Sequence, residues 1–108
     1  MSATEWTNRD KKIARAAFDA ALKRELDALI IEFKARAART EDVESLWKVS
    51  DWLERKRKEI DRVYDFRYSQ LIFVFARLVE RGVLDMSELE GLAETKLAEI
   101  DYLVRGPD

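Results

Sequence analysis

Cysteine and histidine are both absent from this chain of 108 residues. Without cysteine there is no disulfide, no thiolate nucleophile and no cysteine-held iron–sulfur site. Without histidine the commonest zinc ligand is missing, and so is the usual general base near neutral pH. Proline occurs once and glycine three times, as Gly82, Gly91, Gly106 and Pro107, all in the last quarter. No glycine or proline therefore interrupts the first 81 residues. No apolar run approaches the length of a membrane span. The start, "MSATEWTNRDKK", lacks the apolar core of a signal peptide. A soluble, cytoplasmic protein is the resulting expectation. Neither sign of charge dominates: 20 basic residues stand against 22 acidic ones, a net charge of −2. The global field therefore gives no reason to expect nucleic-acid binding. The local basic run Arg55-Lys56-Arg57-Lys58 is flanked by Glu54 and Glu59 and reads as a solvated helix face.

What the chain has in abundance is helical spacing. Its apolar content of 47% can supply one core, and its length fits one domain. Thr7 reads as an N-cap, with Asp10 three residues on and Trp6 just before. Phe18, Leu22, Leu26, Leu29, Ile30, Phe33 and Ala37 follow at steps of three and four, which predicts one helix over 8–38. Thr40-Glu41-Asp42 marks a turn and the next cap. Val43, Leu46, Leu53, Ile60 and Tyr64 form one stripe of a second helix, and a bend is expected at Tyr64-Asp65-Phe66. "SQLIFVFARLVERG" reads as a third helix, apolar nearly all round, with Gly82 as its left-handed cap. Ser87 and Glu90 fit a capping box on a short helical turn ended by Gly91. Leu92, Leu97, Ile100 and Leu103 predict a last short helix before Gly106-Pro107. The expected fold class is all-α: a single domain over 1–108, with a long hairpin over about 8–63 and a small helical head over about 66–104.

The first helix, at ~1.5 Å per residue, would be ~46 Å long. A compact domain of this size has a radius of gyration near ~13 Å, hence a diameter of roughly 35 Å. The hairpin must project from the head, and its apolar stripe needs cover. A homodimer with helices packed side by side is the expected solution.

Several polar residues border that stripe. On a helical wheel Leu46, Leu53 and Ile60 form the core side, with Arg57 at its edge. Trp47, Ser50, Asp51, Glu54 and Lys58 occupy the adjoining flank, and Trp52 points to the opposite one. Trp47 and Asp51, four apart, share a face. A desolvated Arg57 needs a partner, either Asp51 of a second chain or an acid on the first helix. The same residues fit a recognition patch, because Trp and Arg are enriched where binding energy concentrates. The carboxylate pairs Asp51/Glu54 and Asp61/Asp65 read as solvated helix charges rather than as a catalytic acid and base. No nucleophile, phosphate loop or metal-ligand spacing accompanies them, so an enzyme is not expected. Tyr64, Phe66 and Tyr68 read as packing at the helix junction.

The segment "WKVSDWLERKRKEIDRVYDFRYSQLIFVFARLVERG" resembles the central part of the fluorescence recovery protein family of cyanobacteria. In that family a Trp opens the second helix, an Arg follows ten residues later, and a run like "Y-D-[FY]-R-Y-S-Q-L-x-F-V-F" comes next. Trp47, Asp51 and Arg57 match those positions, as do Tyr64-Asp65, Arg67 to Leu71, and Phe73-Val74-Phe75. Trp6-Thr7 and "ELEGLAETKLAEI" are similar to the family's ends. The resemblance implies an all-helical homodimer without a cofactor. It implies binding to the light-activated orange carotenoid protein, mainly through that protein's C-terminal domain, and a faster return to the resting form that ends photoprotective quenching. It implicates Trp47, Asp51, Arg57 and, in the head, Phe73, with Ser50 beside them. Cyanobacterial members typically carry His immediately before the Asp, where this chain has Ser50. Similar proteins also occur in bacteria without the carotenoid protein. The alternative expectation is thus a helical homodimeric interaction or scaffold protein with a different partner.

Overall fold

The structure, a computed structural model, describes residues 5–106; the first four residues of the "MSATEWTNRDKK" stretch and Pro107 lie outside the described part. It contains α1 (Asn8–Ala38), α2 (Val43–Val63), α3 (Leu71–Glu80), a 3₁₀ turn (Met86–Leu89) and α4 (Glu94–Arg105). No strand occurs among the described residues. The predicted α1 bounds are met. Thr7 stays extended, its hydroxyl accepts the Asp10 N–H at 3.0 Å, and the Asp10 carboxylate accepts the Thr7 N–H at 3.2 Å. Asp42 caps α2 in the same way by accepting the Ser45 N–H at 2.7 Å. The expected break is present: α2 ends at Val63, and residues 64–70 turn the chain into α3. The last turn of α3 closes through Val83 N–H to the Leu78 carbonyl (2.9 Å) and Gly82 N–H to the Val79 carbonyl (3.0 Å). That pairing requires the left-handed conformation of Gly82, φ 74°.

The core sits at one end of the molecule. Ala14, Ala17, Phe18 and Ala21 of α1 are buried against Leu71, Phe75 and Leu78 of α3, together with Leu84, Leu89, Leu92 and Ile100. Alanines on that face of α1 let the head approach its backbone closely. Gly91 marks another close approach. A Cβ there would lie 2.7 Å from Ile13 Cδ1, and the glycine has φ 100°. The junction aromatics pack as expected. Phe18 meets Tyr64 edge-on at 5.4 Å and Phe66 at 4.9 Å between ring centroids, and Tyr68 lies 5.5 Å from Trp6.

Two expectations are corrected. The 3₁₀ turn is capped by Asp85 and Glu88, not by Ser87 and Glu90. Asp85 accepts the Ser87 N–H, and Glu88 accepts the Asp85 N–H, both at 2.9 Å. Both pairs fit the cap pattern in sequence; α1 decides between them, because Arg24 grips both Glu88 oxygens. The second correction concerns Trp52, which does not point away from the core side. It is 8% exposed and lies under the Arg36 guanidinium, 4.3 Å from the ring. Leu46, assigned to the core, is instead 47% exposed. A wheel fixes angles between side chains, but not which of two apolar flanks faces α1.

The molecule is elongated, 59 × 32 × 21 Å, with a radius of gyration of 17.1 Å against the ~13 Å of a compact domain of this size. The outer half of the hairpin has no head to cover it. Leu26, Ile30 and Phe33 of α1, and Leu46 of α2, are left exposed in the single chain.

A buried ion pair holds the N-terminal end to the head. Asp10 and Lys96 are each 2% exposed, with 3.9 Å between Lys96 Nζ and Asp10 Oδ2. Lys96 also donates to the Glu5 carbonyl and lies 4.9 Å from the Trp6 ring centroid. Asp10 Oδ1 accepts the Ala93 N–H at 3.0 Å. Burial pushes the Asp10 carboxyl up, but the Thr7 and Ala93 amides and the Lys96 charge outweigh it and leave it below the usual Asp value. A depressed native pKa stabilises the fold above the unfolded value of about 3.9 and loses that contribution as pH falls through the native value. Asp42, Asp65, Asp85 and Glu88 are lowered too, by hydrogen bonds from Ser45, Arg67, Ser87 and Arg24. With no histidine in the chain, melting temperature is expected to stay flat from pH 8 to about 5 and to fall below about 4. A melting series across pH checks this, and a step near neutral pH would contradict it.

Candidate functional site

The α2 helix presents two different surfaces to solvent. Towards α1 it buries Trp52 and Val63. On one side of that contact lies an open apolar groove lined by Leu26, Leu29, Leu53 and Ile60, with Glu54, Arg57 and Asp61 at its rim. The Arg57 side chain is exposed in the single chain and has no ion pair among the described residues. Of the two partners expected for it, an acid on the first helix is therefore not the one, since no α1 carboxylate pairs with Arg57. On the outer side stand Trp47, 61% exposed, and the exposed residues Ser50 and Asp51. Four of the five residues singled out from sequence thus share α2 within about three turns, split between the groove rim and the outer flank.

Phe73 is placed apart from them. It sits on α3, beyond the junction, and is 58% exposed on a helix whose Leu71, Phe75 and Leu78 are fully buried. Its ring thus stands on the outward face of α3, because the inward face is filled by Leu71, Phe75 and Leu78. Its groove is lined by Arg62, Val63, Asp65, Gln70, Val74 and Arg77. The Asp65 carboxylate there is taken by Arg67, whose Nη2 and Nε lie 2.6 and 2.9 Å from its oxygens.

At the junction stands a polar brace that the sequence reading missed. Tyr64 donates its hydroxyl to Glu25 at 2.8 Å, and Arg81 spans Glu25 at 3.3 Å and Glu59 at 3.5 Å. Burial, then the Glu25 hydrogen bond and charge, push the Tyr64 phenol well above its ordinary value, so it stays a donor. The brace ties α1, α2 and the end of α3 together. No spacing rule could reveal it, because its bonded pairs lie 22 to 56 residues apart in sequence. Among the described residues no group of three or more carboxylates is placed to hold a metal ion, and no helix is long and apolar enough to cross a membrane.

The fold and these surfaces define an all-helical hairpin-and-head chain whose distinctive side chains lie outward, on α2 and on one face of α3. Residues 6–104 match the family described as photoprotection regulator fluorescence recovery protein. The fluorescence recovery protein of Synechocystis sp. (strain ATCC 27184 / PCC 6803 / Kazusa) is 41% identical over 100 residues, spanning 93% of this chain and 92% of that protein. The structure of the Fremyella diplosiphon fluorescence recovery protein superposes with a TM-score of 0.89 at 40% identity, covering 94% of this chain and all of that one. The Synechocystis structure gives 0.88 at 40% identity with the same coverage. The chain belongs to the fluorescence recovery protein family of photoprotection regulators.

Proposed function

We propose that this chain is a cytoplasmic, non-enzymatic homodimer that binds the photoactivated orange carotenoid protein, through that protein's C-terminal domain, and speeds its return to the resting form. Family membership over residues 6–104 is the observation that carries the reading. The contact residues are Trp47, Ser50, Asp51 and Arg57 on α2 and Phe73 on α3. The bare apolar groove between α1 and α2 supports the dimer, since a second copy laid side by side would cover Leu26, Leu53 and Ile60. Neither a cofactor nor nucleic acid takes part. The test is a dark-recovery assay: photoactivated carotenoid protein is followed spectroscopically with and without this chain. A faster return with the chain present is expected, and an unchanged rate rejects the reading.

Ser50 tunes this activity. A serine offers a short donor and acceptor without the area or titratable charge of an imidazole. Ser50→His is expected to accelerate recovery beyond the parent chain. It should also introduce a pH step near about 6.5, the ordinary histidine value. The parent, with no histidine, should show no such step of its own. Recovery rates for both proteins between pH 5.5 and 8 check this expectation.

A further inference from the structure

One surface stripe joins the two separated parts of the candidate site. Trp47, Asp51, Arg55, Lys58 and Arg62 follow one another at steps of four, four, three and four, so they lie in line on one face of α2. All five are exposed. At ~1.5 Å per residue the stripe runs about 22 Å. Its far end, Arg62, lines the groove of Phe73 together with Arg77 of α3. From Arg55 onward every charged member of the stripe is basic. Arg55, Lys58, Arg62 and Arg77 make no ion pair among the described residues. On α1, Arg15, Lys23, Arg24 and Arg36 have carboxylate partners, while Arg9, Lys11, Lys12 and Lys34, without an ion pair among the described residues, lie away from the line of the α2 stripe. The one carboxylate lining the Phe73 groove, Asp65, is occupied by Arg67.

We propose that Arg55, Lys58, Arg62 and Arg77 form a basic track that receives an acidic segment of the partner protein, with Trp47 and Phe73 as apolar anchors at its two ends. The inference rests on the proposed function for the identity of the partner. It adds the chemistry of the partner's surface: carboxylates spaced between apolar side chains. A protein segment fits better than a nucleic acid. Asp51 interrupts the stripe, Glu54 and Asp61 border it, and the chain's net charge is −2, all of which repel a continuous polyanion. The groove floor of Val63 and Val74 and the two exposed aromatics call for apolar side chains. The track also leaves the apolar groove of Leu26, Leu29, Leu53 and Ile60 free for a second copy.

The test compares the full chain with Arg62→Gln/Arg77→Gln and Arg55→Gln/Lys58→Gln. Lys34→Gln serves as a charge control at an exposed α1 position outside the stripe. Binding to photoactivated orange carotenoid protein is measured at low and at physiological salt, with circular dichroism checking the fold. Each double variant is expected to bind about tenfold more weakly at low salt, with the gap narrowing as salt rises, and Lys34→Gln should match the parent. Equal binding by the parent and both double variants overturns the track and leaves the proposed function standing. If the parent does not bind the carotenoid protein, the proposed function fails, and the track is judged on a fluorescent peptide of spaced glutamates flanked by leucines. The parent should bind that peptide, and Arg62→Gln/Arg77→Gln should bind it about tenfold more weakly. A peptide that fails to bind the parent, or binds both equally, overturns the track. Tighter binding of single-stranded DNA of matched length than of the peptide overturns the assignment to an acidic protein segment.

Discussion

Lys96→Met is expected to destabilise the fold by about 3 kcal/mol or more, the cost of breaking a buried ion pair from one side. Methionine fills much of the lysine's volume, so the loss is one of charge and hydrogen bonding rather than of packing. The variant removes the donor to the Glu5 carbonyl, the cation beneath Trp6 and the charge facing Asp10. Asp10 keeps its Thr7 and Ala93 amides, so its carboxylate is left paired with donors but not with a cation. For a chain of about 100 residues, each 1 kcal/mol moves the melting temperature by about 4–8 °C, so a fall of about 12–24 °C is expected. The double variant Lys96→Met/Asp10→Leu should lose less than the sum of its single changes, because the two residues are coupled. Additive losses in thermal melts would mean that the pair does not act as a unit.

That pair also shows where sequence reading reaches its limit. Asp10 was legible as the cap partner of Thr7, a relation between residues three apart. Its second role, accepting from Ala93 and facing Lys96, spans more than 80 residues and leaves no local trace. A lysine in "ETKLAEI" reads as solvated, since lysine is seldom fully buried unless paired. The bounds of α1 and the break after Val63 were legible because caps and three-four spacing are local properties. The rotation of α2 was not. Trp52 and Leu46 are both apolar, and only contact with Arg36 shows that Trp52 faces α1. The cap of the 3₁₀ turn was ambiguous for a similar reason. Two overlapping patterns fit, and Arg24 of α1 selects Glu88.

The same limit applies to the candidate site. Trp47, Ser50, Asp51 and Arg57 could be grouped from spacing alone, because one helix carries them. Phe73 entered through family resemblance, since an apolar residue in an apolar helix looks like core. Its exposure emerges only when Leu71, Phe75 and Leu78 are seen to fill the interior. Arg62 and Arg77 passed unremarked because they come together only after the chain turns through residues 64–70.

Arg57→Leu is expected to reduce acceleration of carotenoid-protein recovery to the unassisted rate while leaving helix content and oligomeric mass unchanged. Arg57 stands at the rim of a groove made of Leu26, Leu29, Leu53 and Ile60, where a leucine extends an apolar surface already present. The fold loses nothing, since Arg57 makes no ion pair within the described chain. A side-by-side dimer covering this groove would gain apolar contact, at about 25 cal/mol per Å² removed from water. The partner, in contrast, loses a planar guanidinium able to take a carboxylate through two hydrogen bonds, which leucine cannot replace. Three measurements separate the roles: circular dichroism for the fold, light scattering for the mass, and dark recovery for activity. Parent and variant should both scatter at about twice the chain mass, and only the parent should shorten recovery. If the variant scatters as a monomer, Arg57 belongs to an ion pair between copies, and Asp51→Leu should then weaken the dimer as well. If the variant is dimeric and fully active, Arg57 is not a contact for the carotenoid protein, and recognition must rest on Trp47, Asp51 and the Phe73 groove.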